Sequence, residues 1–187
     1  MILAIALALT ALAPAVLAQE EHGEFGVYAD MTRLHNLNDN NFWGVGGRLA
    51  FNLSSWAQLE GDMAYDFAQQ FSVPSGTLLT TNTTGNMRLL QGMFGPKFQT
   101  GIGPVKAFVV LKGGFINFGL SGLSTAAFRS QVANVPAGDT NAVFYPGGGL
   151  EFFAGRIGLR LEAGDEMYFF NGANHNLKIS VGPQIRF

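Results

Sequence analysis

Few side chains in this sequence are of types that do chemistry, so their spacing decides what they can do. Glu60 and Asp62 stand two residues apart. In an extended chain that spacing puts both carboxylates on one face, where two acids could divide general acid/base work. The histidines are His22, His35 and His175. His35 or His175 against a hydroxyl of Ser121, Ser124 or Ser130 would make a nucleophile and its base. Nothing in the spacing brings those residues together. The chain has no cysteine and no His/Cys cluster at metal-ligand spacing. Gly147-Gly148-Gly149 opens no helical pattern and so is not a phosphate loop. No metal or cofactor is expected. The question becomes which elements hold Glu60 and Asp62, and against what.

The answer lies in a period of two. From Leu177 to Phe187 the odd positions Leu177, Ile179, Val181, Pro183, Ile185 and Phe187 are apolar, and Lys178, Ser180, Gly182, Gln184 and Arg186 between them are polar or small. Alternation of this kind marks a strand with two unlike faces. Seven more segments of about ten residues follow the same plan: 24–33, 42–53, 56–66, 87–99, 104–115, 141–153 and 156–169. The connections predicted as loops are 34–41, 67–86, 116–140 and 170–174, and these longer ones alternate with tight turns. The least regular strand is the fifth, where Phe108 and Val110 fall on the polar face. An even number of antiparallel strands with long and short connections in alternation is the pattern of a transmembrane β-barrel, its apolar face toward lipid and its polar face toward the lumen.

Composition agrees. The first eighteen residues carry no charge and end in Val16-Leu17-Ala18 before Gln19. This reads as a secretory signal peptide cut between Ala18 and Gln19, although Met1 lacks the usual basic neighbours. A membrane-anchor helix is the competing reading. A short lead, 19–23, and one barrel domain, 24–187, would follow. Charged residues are 13% of the chain, against about 25% in soluble domains. Glycine (25) and phenylalanine (17) are abundant. A net charge of −2 gives no footprint for nucleic acid.

The register assigns the inward charges. The acids are Glu24, Asp30, Glu60, Asp62, Asp66, Glu151, Glu162 and Glu166; the bases are Arg48, Lys97, Lys106, Lys112, Arg156, Arg160, Lys178 and Arg186. Acids and bases match in number. A one-residue slip would turn them into lipid, where each Arg or Lys costs about 2–4 kcal/mol at the midplane. Glu60 and Asp62 are therefore read as members of an ion-pair network filling the lumen, since about eight strands enclose only enough room for side chains. Trp43, Tyr65, Phe67, Phe144 and Phe152 are assigned to aromatic girdles on the outside.

Phe94-Gly95-Pro96-Lys97-Phe98, the strand from Pro104 ending in Lys112-Gly113-Gly114, Gly147-Gly148-Gly149-Leu150-Glu151, Arg156 to Glu162, and the closing Gly182 to Phe187 together resemble the OmpA/OmpX-like family of eight-stranded outer-membrane barrels. The resemblance spans about residues 22–187. It implies an all-β, eight-stranded antiparallel up-and-down barrel in the outer membrane of a Gram-negative cell, with the lipid bilayer as its surroundings. It also implies that the last strand, through Val181, Ile185 and Phe187, is the signal read by the outer-membrane assembly machinery. A structural or surface-interaction role is the leading expectation, because fold alone does not fix function. A His–Ser pair at the external rim would instead resemble a lipid-modifying barrel enzyme. A narrow pore is a further alternative. A soluble lipocalin-like barrel would need an apolar interior and a polar exterior, the reverse of this register.

Overall fold

Alternation is realised as strands along nearly the whole described chain. The structure is a computed structural model that describes residues 22–37, 39–75, 81–100, 103–122, 135–136 and 138–187. The expected signal peptide, its Ala18–Gln19 junction, Ser124 and Ser130 lie outside those residues. Ten strand segments are present among the described residues: β1 (Gly23–Leu34), β2 (Asn40–Asn52), β3 (Ala57–Ser75), β4 (Thr81–Gln99), β5 (Val105–Ser121), β6 (Thr140–Ala154), β7 (Ile157–Asp165), β8 (Met167–Phe169), β9 (Ala173–Asn174) and β10 (Asn176–Arg186). β8 and β9 prolong β7 and β10 rather than adding staves. Tyr168 pairs with Asn174 in the register that already pairs Asp165 with Leu177. The ring therefore has eight strands.

Every neighbouring pair is antiparallel, and the ring closes where β1 meets β10, Glu24 opposite Arg186. β5 and β6 complete the circuit on the far side. Ladder partners run Asn52, Gln58, Lys97, Val110, Gly147, Gly164, Lys178, Thr32 and Phe42. One circuit thus returns to β2 ten residues from its start, at Phe42 rather than Asn52. Closure leaves no free edge, and the stagger tilts the strands so that the interior is a packed core.

The exterior is apolar. Val27, Val45, Leu49, Met63, Val109, Leu111, Leu159, Leu161 and Val181 are all exposed. A belt of this size is incompatible with water and matches a hydrocarbon surrounding. Aromatic side chains flank it at two levels. Toward the end with short turns lie Trp56 and Phe98, stacked at 6.0 Å, with Phe25, Phe51 and Phe152. Toward the other end lie Trp43, Phe144 and Tyr65, the last edge-on to Phe67 at 6.1 Å.

All four predicted loops give up residues to strands. Residues 69–75 and 81–86, assigned to a loop, join a hairpin ladder beyond a register shift between Asp66 and Gln69. The expected 116–140 loop loses its first residues to β5, which runs on to Ser121. In the expected 34–41 loop, Leu34 belongs to β1 and Asn40 and Asn41 to β2, with residues 35–37 and 39 in turn conformation. In the expected 170–174 loop, Ala173 and Asn174 pair back onto Phe169 and Tyr168. Strand length here is set by the hairpin partner, which continues hydrogen bonding past the point where sequence alternation fades.

Candidate functional site: the lumen and the rim

Inward residues of all eight strands meet in layers. The middle layer is centred on Arg160 and Lys112. The Arg160 guanidinium donates to both Glu60 carboxylate oxygens, at 2.5 and 3.0 Å, to Glu151 at 3.3 Å and closely to Glu162. Lys112 Nζ lies 2.6 Å from Glu60, 2.5 Å from Asp62 and 3.4 Å from Glu162. Arg48 donates to Glu162 at 3.1 Å and to Ser180 Oγ at 3.2 Å. A layer nearer the short turns joins Lys97 to Glu24 at 3.0 Å and closely to Glu151. Aromatic faces wall in the cations: Arg160 lies 4.0 Å from the Phe108 ring centroid and Arg48 4.3 Å from that of Tyr28. Arg160 is 1% exposed and Lys97 is 0% exposed.

Small residues make this density possible. Tyr145 occupies space that a side chain at Gly164 would take, since a Cβ there would sit 2.6 Å from the Tyr145 ring. Gly149 likewise gives way to Phe108.

Above the middle layer, Lys178 is 3.0 Å from Asp30 and 3.4 Å from Glu166, and donates closely to Gln91. Gln91 in turn donates to Asp66 at 2.8 Å. Here acids outnumber bases, which the overall balance of the sequence conceals.

Higher still the lumen changes character. Leu34, Phe42, Met87, Leu89, Ile116, Phe118, Val143 and Tyr168 form an apolar plug, with Leu37 from the β1–β2 turn and Val135 from the β5–β6 connection packed into it. Phe118 and Tyr168 meet edge-on at 5.1 Å. The expectation of an interior filled by ion pairs throughout needs correction at this end. Phe108 and Val110, the untidy inward residues of β5, belong to the same apolar cluster.

The structure buries Glu24, Asp30, Arg48, Glu60, Asp62, Asp66, Lys97, Lys106, Lys112, Glu151, Arg160, Glu162, Glu166 and Lys178 in the lumen. Two of the sixteen expected charges stand apart. Arg156 is exposed in the turn before β7 and does not enter the lumen, because the β6–β7 hairpin reverses there. Arg186 is half-buried at the mouth, stacked on Phe153 and 4.0 Å from Glu24. Lys106 faces Glu151 across the ladder and lies near Phe153. Val181, Ile185 and Phe187 of the closing strand point outward.

The chemistry-capable residues sort differently from their spacing. Glu60 and Asp62 are locked among cations and show no open face for a substrate. Ser121 ends β5, four strands from β1, and so is not set beside His35. His35 and His175 do converge, on one open rim groove of about 460 Å³ that Arg33, Asp39 and Asp165 also line. Sequence spacing missed this, since the two histidines are far apart in the chain and meet only through the β1–β10 closure. Asp39 accepts from Arg33 at 3.3 Å and from His35 at 3.1 Å. Those hydrogen bonds, His35 first, hold its carboxyl below the usual carboxylate range.

No protein-family model matches the chain, and no curated protein matches it in sequence. Solved structures do match. Ail, the attachment invasion locus protein of Yersinia pestis, in complex with the heparin analogue sucrose octasulfate, aligns at a TM-score of 0.53 and 15% identity, over 89% of this chain and 97% of Ail. Neisserial surface protein A aligns at 0.52 and 9% identity, over 90% and 98%. The fold is that of an eight-stranded outer-membrane barrel.

Proposed function

We propose that this chain is a small integral outer-membrane protein whose barrel is a sealed structural and surface-presenting body rather than a pore or an enzyme. The observation that carries the reading is the inversion of the molecule: charges paired inside, apolar side chains outside. Only a bilayer stabilises that arrangement. It also argues against a lipocalin-like calyx, whose interior would be apolar throughout. Sealing is supported by two materials in series, the ion-paired layers and the apolar plug above them. The likeness to Ail and to a neisserial surface protein is consistent with rim and connections that meet the cell exterior. Residues 1–18 serve export, with cleavage after Ala18, and the final strand through Phe187 is read by the assembly machinery.

Expression of the precursor in a Gram-negative host tests this. The protein should stay in urea-washed outer membranes and change gel mobility only after boiling. Release into the soluble fraction would overturn the reading.

A further inference from the structure

The β1–β10 ladder ends at Leu34 opposite Asn176. The next residue on one strand is His35, and the next residue outward on the other is His175. Residues facing each other across an antiparallel pair have Cβ atoms about 5 Å apart. Both imidazoles are exposed, with 76% and 63% of their side chains accessible, and both line the rim groove. Each is held in the same way. His35 Nδ1 lies 3.1 Å from Asp39, and His175 Nδ1 lies 2.6 Å from Asp165. A carboxylate can only accept, so each Nδ1 carries the hydrogen and leaves the lone pair of the neutral ring on Nε2. The anchors are themselves fixed: Arg33 donates to Asp39 at 3.3 Å, and the Asn176 amide donates to Asp165 at 3.2 Å. A backbone-to-side-chain bond ties the two sides together, His35 N–H donating to Asn176 Oδ1 at 3.3 Å.

A carboxylate on the far nitrogen is the arrangement that orients histidines which bind metals. We propose that His35 and His175 form a two-imidazole chelate at the external rim for a borderline divalent ion such as Zn²⁺ or Cu²⁺, with water completing the coordination. Imidazole donors suit these ions rather than Ca²⁺ or Mg²⁺. Among the described residues no group of three or more His, Cys, Asp or Glu side chains is disposed to hold a metal. The site is therefore a pair, open to solvent and to a donor from another molecule. Asp39 and Asp165 are positioning residues: they set the tautomer and ring orientation without touching the ion.

The test is titration of the detergent-folded protein with Zn²⁺ by calorimetry and with Cu²⁺ by electron paramagnetic resonance. One equivalent should bind, with nitrogen coupling in the Cu²⁺ spectrum. H35A and H175A should each abolish that equivalent, while H22A, at the opposite end of the barrel, should keep it. D39N and D165N should weaken it about 10–100-fold. Boiling-dependent gel mobility of each variant checks that the barrel is intact. Absence of binding by the wild type, or binding that survives in both H35A and H175A, would overturn the proposal.

Discussion

The two halves of the lumen solve one problem by opposite means. In the middle, Arg160, Lys112, Arg48 and Lys97 bind carboxylates from across the ring. Near the long connections, Phe42, Leu89, Ile116 and Phe118 exclude water by packing alone. Ion pairs are directional, so each charge demands a partner at a set height. That fixes the register of strands distant in sequence, such as β3 and β7, through Glu60 and Arg160. Apolar packing tolerates rearrangement and admits contributions from connections, as Leu37 and Val135 make. The plug in turn keeps water from the charges beneath it, where a lower dielectric strengthens each pair.

The comparison breaks hardest at Arg160. Arg160→Ala leaves Glu60 and Glu162 buried without their closest cation and takes a second cation from Glu151. A loss of about 3–5 kcal/mol is expected, read as a lower urea midpoint for loss of the heat-modifiable form. The neighbouring residue tests the other face: Leu161→Arg should cost about 2–4 kcal/mol in lipid, since Leu161 is exposed on the belt. An unchanged midpoint for either substitution would contradict the assignment of faces. In the plug the effect should be milder. Ile116→Val removes one methyl group and should cost about 0.5–1.5 kcal/mol, measured by the same unfolding assay. The smallest effect is at the rim. Asp39 has a lowered folded-state pKa, so its contribution is full above its ordinary value of 3.8 and is lost as pH falls through the lowered one. Amide exchange in the His35–Asp39 turn should rise only below pH 3.8, and Asp39→Asn should remove that pH dependence.

Legibility in the sequence followed the same division. The charged half was readable because alternation puts a charge on one face and an aliphatic residue on the other, as at Arg160 and Leu161. The plug was not. From Ile116 the alternation continues but the faces exchange character: Ile116, Phe118 and Leu120 take the inward positions that Lys106 and Lys112 hold lower on the strand, and Asn117, Gly119 and Ser121 take the other face, so a reading keyed to inward polar residues assigns the segment to a loop. The β3–β4 extension was hidden for a different reason: the run Thr81 to Asn86 is polar or glycine at every position, so it carries no period of two, yet it holds ladder positions opposite Gln70 to Ser75. Arg156 had the right parity for the lumen but stands in the turn. The His35–His175 pairing depended on the closure register, which local pattern cannot supply.

The most direct test of a sealed lumen is unitary conductance of the folded protein in a planar bilayer. The ion-paired layers and the plug together predict no stable open level. A large, steady ohmic conductance in the wild-type protein would contradict them, because a continuous water path would then run through Arg160 and Phe118.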